Sequence, residues 1–249
     1  MLRAVATAVS WMTVLPVPRR LTPAPTRESA GAVIAAVPVA GVLVGAAVTA
    51  VAWVSTVAGL SPLLAGVLAV GAAALVTRGM HLDALADCAD GLGTYGPPER
   101  AREVMRQGTI GAFGAVALVL VLLAEVAAVA TLAGHCRWYA IGVAVAASRV
   151  AAVIGCRRGW GPANPDGFGA LTAGTQHPAV VSTWSAIACA AAIPASSVAW
   201  HGPVAVAAAL AVAALVMRHC VRRFGGSSGD VYGLGIETAT VIALVVISA

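Results

Sequence analysis

The chain has 249 residues, of which 60% are hydrophobic and only 10% charged, with a mean hydropathy of +0.92. Soluble domains carry roughly a quarter charged residues, so too few polar side chains are present here to coat a water-soluble core. The formal charge of +5 comes from fifteen Arg, with no Lys, set against ten acids; its placement follows membrane topology, and no nucleic-acid partner is needed to explain it.

Met1–Val17 is apolar but is broken by Pro16 and Pro18 and followed by Arg19 and Arg20, which predicts an interfacial or re-entrant segment rather than a span. It lacks the small-residue cleavage site of a signal peptide. Seven apolar runs follow: Ala30–Val54, Leu60–Val76, Ile110–Ala133, Trp138–Gly155, Ala179–Ala199, Val204–Met217 and Val231–Ser248. A membrane helix needs about 20 residues, so Val204–Met217 is expected to borrow from its flanks. The predicted fold class is all-α: a polytopic membrane protein of about seven transmembrane helices plus the N-terminal segment. Residues 1–249 form a single integral-membrane catalytic domain in this reading.

With these spans Arg3, Arg19, Arg20, Arg27, Arg78, Arg100, Arg102, Arg106, Arg157, Arg158, Arg218, Arg222 and Arg223 fall on one side, and only Arg137 lies in the opposite loops. The positive-inside rule makes the Arg-rich side cytoplasmic, where these charges also meet anionic lipid headgroups. Eight of the ten acids map to that side as well: Glu28, Asp83, Asp87, Asp90, Glu99, Glu103, Asp166 and Asp230. Topology does not require acids, so chemistry is expected there. Glu125 and Arg149 lie within adjacent spans at similar depth and predict an intramembrane ion pair. The five Cys form no CxxC spacing and the five His are scattered, which argues against a zinc site.

The strongest local signal is Gly79-Met-His-Leu-Asp-Ala-Leu-Ala-Asp-Cys-Ala-Asp-Gly-Leu-Gly93. Asp83, Asp87 and Asp90 fall at i, i+4 and i+7, within an arc of about 60° on a helix. Three like charges on one face repel unless a cation neutralises them. Hard oxygen ligands of this kind suit Mg²⁺ shared with substrate phosphates. A solvated helix face ending at Gly91 is the plainer alternative. His81 lies on the other face and is a candidate substrate contact. Arg106, Gly108 and Gly111 open the third span; Arg222, Arg223, Gly225, Gly226 and Gly229 open the seventh. Glycine turns entering helices present backbone N–H groups to anions, and arginines match phosphate. Asp230 is either a further ligand or an N-cap, and Glu237, at i+7 from it, is an acid inside a span.

Leu15-Pro-Val-Pro-Arg19-Arg20, the Gly79–Leu92 block, Met105-Arg-Gln-Gly-Thr-Ile-Gly111 and Gly225-Gly-Ser-Ser-Gly-Asp230 together resemble the cobalamin synthase (adenosylcobinamide-GDP ribazoletransferase) family. The resemblance covers most of the chain in order, and its HLDxLADxxDG block is highly specific. It implies a multi-pass enzyme of the bacterial cytoplasmic membrane whose active site faces the cytoplasm. The implied substrates are adenosylcobinamide-GDP and α-ribazole or its 5′-phosphate, and the products are adenosylcobalamin or its 5′-phosphate and GMP. Membrane lipid is an implied partner, and a homo-oligomer is left open. The resemblance further implies Mg²⁺ held by Asp83, Asp87 and Asp90 with Asp230. Asp87 or Asp90 then serves as base, and Arg19, Arg20, Arg222 and Arg223 help to bind substrate. This chain departs from the family at Gln107-Gly-Thr109, where Asp-Ser-Arg is usual, and has Ala84 and Ser228 for Gly and Thr. A CDP-alcohol phosphotransferase is a rival reading, but the continuation DGxxAR is absent. A transporter, the other rival, would place its acids near the midplane.

Overall fold

The computed structural model describes residues 1–249 and contains helices but no strands. Helix α1 (Leu2–Met12) is followed by α2 (Arg27–Val57), α3 (Pro62–Val76), α4 (Met80–Gly93), α5 (Pro98–Met105) and α6 (Ala112–Gly134). Then come α7 (Trp138–Ser148), α8 (Val150–Gly155), α9 (Gly167–Thr172), α10 (Pro178–Ala191), α11 (His201–Phe224) and α12 (Gly229–Ser248).

Six units are long and apolar enough to cross a membrane: α2, α6, α7 with α8, Pro178–Ala195, α11 and α12. The seventh is bent. Helix α3 carries its apolar arm, and the chain turns through 89° before α4. The chain is therefore an all-α polytopic membrane protein, and each expected run coincides with or overlaps one of these units, Leu60–Val76, Ile110–Ala133 and Ala179–Ala199 running a few residues past the helix ends. Val204–Met217 does extend, to His201–Phe224. The apolar runs gave no sign of the bend, which sets the Asp block on a helix of its own. Two successive positive-φ residues make the turn, Arg78 at 57° and Gly79 at 66°. Glycine adopts that region freely, whereas at Arg78 it is unusual.

Helix α4 lies across the Arg-rich ends of the other helices. Its Ala84 and the backbone of His81 approach Gly233 in α12, its Gly91 approaches Met105 and Phe224, and its Asp90 meets the start of α6. Small residues permit such approaches in a bilayer, where lipid is as apolar as the side chains and close packing supplies the attraction. At the crossing of α2 and α7, a Cβ on Gly45 would strike the carbonyl of Gly142.

Helix ends follow their sequences. Thr26 and Ser29 form a reciprocal cap on α2. Gly225, at φ 80°, ends α11. The segment between α8 and α10 is tied down: Arg158 N–H donates to the Gln176 carbonyl, and Ser227 N–H donates to that of Gly161. Arg27 donates to the carbonyls of Ala170 and Ala173, which fixes α9 against α2.

Candidate active site

A cleft of about 750 Å³ opens between α1, α4, α9 and α12. Asp83, His81 and Arg78 come from the bend and the first turn of α4, and Gly229 and Asp230 from the start of α12. Aromatic rings line another wall: Phe168 packs edge-on against Trp11 at 5.2 Å and Tyr232 at 6.2 Å. The segment between α8 and α10 therefore supplies a wall through α9.

The acids of α4 fall into different environments. Asp83 is exposed, Asp87 half-buried and Asp90 buried. None of these, nor Asp230, has a basic partner; the ion pairs in the molecule are Arg100–Glu103, Arg102–Glu99 and the His81–Glu237 contact. Burial first, then the negative charges of Asp83, Asp230 and Asp90, push the Asp87 carboxyl from the usual 3.8 up to about 6. Asp90 turns away to another task. Its Oδ2 accepts from Gly111 N–H at 2.7 Å and its Oδ1 from Gly114 N–H at 2.9 Å. A Cβ at either glycine would collide with that carboxylate. The glycines before the third span thus receive an anion from the protein itself, and Asp90 caps α6 from another helix.

Asp230 is not the cap of α12. Ser228 takes that place, its Oγ accepting from Val231 N–H, and Asp230 projects between the main cleft and a smaller pocket lined by Arg102, Arg106, Asn164 and Ser228. Of the expected phosphate-binding groups, Arg106 and Gly229 thus lie beside the carboxylates. Arg223 donates to the Thr94 carbonyl, and Gly226 packs on the backbone of Pro162 and Ala163. Arg19, Arg20, Gly108 and Arg222 are exposed and line neither pocket. Glu237 is buried away from the surface, near His81. The expected Glu125–Arg149 ion pair does not form: no carboxylate oxygen lies within 4.0 Å of Arg149, which donates instead to Val145, Ser148 and Thr240.

Sequence reasoning gave Arg78 only a topological role, yet it lines the cleft while donating to the carbonyls of Ser10 and Trp11. Its neighbour Gly79, at the edge of an acidic helix, was the available signal. As the side chains stand, no three carboxylates, imidazoles or thiols converge to hold a metal ion. The donor chemistry nevertheless fits a hard divalent cation, because Asp83 and Asp230 bring to one cleft two carboxylates with no basic partner, that of Asp230 accepting only from Ser228 Oγ–H at 3.3 Å.

The sequence profile of a family described as cobalamin-5-phosphate synthase matches residues 4–248. A protein from Corynebacterium efficiens named adenosylcobinamide-GDP ribazoletransferase is 38% identical, over 97% of this chain and 89% of its own. Relatives of the same name from Frankia casuarinae and Bradyrhizobium diazoefficiens are 38% and 34% identical, over 97% of this chain in each case and 93% and 92% of their own. No solved structure matches the chain.

Proposed function

The chain belongs to the cobalamin-5-phosphate synthase family, and on that premise we propose that it joins adenosylcobinamide-GDP to α-ribazole, or its 5′-phosphate, with release of GMP. The products are adenosylcobalamin, or its 5′-phosphate, and GMP. The observation that carries this reading is the placing of Asp83 and Asp230, neither with a basic partner, on one large cleft, with Arg78 on its wall and Arg106 in the adjoining pocket. Displacement at a phosphorus depends on positioning and charge neutralisation more than on a covalent nucleophile, and this site offers groups for both.

Asp83 and Asp230 would hold Mg²⁺, which when bound supplies Lewis-acid neutralisation of the diphosphate. Arg78 and Arg106 grip phosphate oxygens. Asp87, near enough to Asp83 and Asp230 to feel their charge and raised to about 6, takes the proton from the attacking ribose hydroxyl, whose oxygen forms the new bond to the cobinamide phosphate as the bond to GMP breaks. Asp90 holds α6 against α4 and takes no part in proton transfer. The Arg-rich ends of the spans face the cytoplasm by the positive-inside rule, so the site opens on that face of the cytoplasmic membrane.

Purified protein in lipid nanodiscs, given adenosylcobinamide-GDP, α-ribazole and Mg²⁺, is expected to form GMP and the joined product in equal amounts. Chelation of the metal stops both. Release of GMP without joined product, or no GMP from folded protein, overturns the reading.

A further inference from the structure

Four ionisable side chains that the proposed reaction does not use meet behind α4. Glu125 of α6, Arg149 at the α7/α8 junction, Glu237 of α12 and His81 of α4 are 4%, 3%, 7% and 3% exposed. The first three surround an internal cavity of about 20 Å³, room for about one water. His81 Nδ1 stands 3.8 Å from Glu237 Oε1, and the two glutamates face each other across that one small cavity. Both His81 nitrogens, Glu125 Oε1 and Arg149 Nε are buried without a hydrogen-bond partner.

Charge balance limits what such a cluster can be. Two ionised carboxylates have no proton with which to bond one another. A net charge buried at this depth is expensive in hydrocarbon. One guanidinium, one carboxylate and one carboxylic acid, beside a neutral imidazole, satisfy both conditions. The cavity between them takes a water that reaches Glu125 Oε1 and Arg149 Nε. His81 is two residues from Asp83 and six from Asp87, in the first turn of the same helix. Whatever seats His81 therefore sets where those carboxylates stand.

We propose that Glu125, Glu237 and Arg149 form a charge-neutral latch, one proton shared between the glutamates, that seats His81 and so positions Asp83 in the cleft and Asp87 one turn further along α4. The positioning role rests on the reading of that cleft as the active site. The latch itself does not.

The test uses the full chain in nanodiscs, with thermal unfolding, binding of Mn²⁺ as a spectroscopic probe, and GMP release. Glu125→Gln and Glu237→Gln each replace an acid by its neutral isostere; each is expected to keep the parental Tm and to hold Mn²⁺ affinity within about threefold of the parent. The double variant leaves Arg149 uncompensated; its Tm drops, and Mn²⁺ binding by its folded fraction weakens about tenfold or more. Adding Arg149→Met to the double variant restores Tm, which keeps the idea testable even if the double variant does not fold. His81→Asn folds but lowers kcat and Mn²⁺ affinity about tenfold while KM for α-ribazole holds. A double variant as stable as the singles, or no recovery with Arg149→Met, overturns the latch. Parental Mn²⁺ affinity and kcat in folded His81→Asn overturn the positioning role. Absence of GMP release from the parent protein overturns the catalytic reading alone, because Tm and Mn²⁺ binding still decide the latch.

Discussion

The three aspartates of α4 share a helix face by periodicity, and that much was legible in the sequence. Their separate fates were not. Asp90 serves Gly111 and Gly114, more than twenty residues on, and a cap supplied by another helix leaves no local pattern. Asp90→Asn keeps one acceptor but turns an amide donor towards the other N–H. It is expected to lower stability by about 1–3 kcal/mol while leaving the cleft carboxylates in place, as thermal unfolding and Mn²⁺ binding would show together. Asp87 behaves differently, because its carboxyl is raised to about 6. A base must be ionised to act, so kcat/KM should fall about tenfold per pH unit as the solution is acidified below that value. Linkage has the opposite sign for the metal-free fold. The native state binds a proton more tightly than the unfolded chain, so this group's contribution to stability is lost as pH rises from about 4 to about 6. Added divalent cation should therefore raise Tm more at pH 7 than at pH 5. A pH-independent kcat/KM across that range would remove Asp87 from the proton transfer.

At the level of elements, hydropathy located every span, because a bilayer demands length and apolarity and little else. It could not locate the 89° bend, since the apolar run simply stops at Val76 and the turn depends on the backbone at Arg78 and Gly79. Nor could it show which helix crosses α4. That crossing is set by Gly233, where a Cβ would come within 2.5 Å of the Ala84 Cβ. Gly233→Val is expected to overpack the crossing by about 1–3 kcal/mol and to shift α4. Loss of kcat larger than the loss of folded protein would show that the crossing positions the carboxylates. Parental kcat in the folded fraction would show that α4 tolerates the shift. The segment between α8 and α10 gave the weakest signal of all. Its order comes from long-range bonds such as Arg27 to Ala170 and Ala173, which have no periodicity to read.

Over the whole molecule, the cleft is built from the ends of membrane helices and the short helices laid across them: α4 and α12 bring the carboxylates, while α1 and α9 close the walls. The scarcity of charge that marked the chain as a membrane protein also makes the few unpaired acids informative, since neither topology nor ion pairing accounts for them. The family resemblance was legible in four motifs, but the substrate's identity came only with it; spacing and charge reached no further than a cation and phosphates. The central claim is that this cleft, and no other part of the chain, performs the transfer. Its most direct test is the rate of GMP release by the Asp83→Asn/Asp230→Asn double variant in nanodiscs, with circular dichroism and Tm as checks on folding. A folded variant slowed by roughly a thousandfold, about 4 kcal/mol of barrier, is the predicted result; a folded variant within about tenfold of the parent rate would contradict the account.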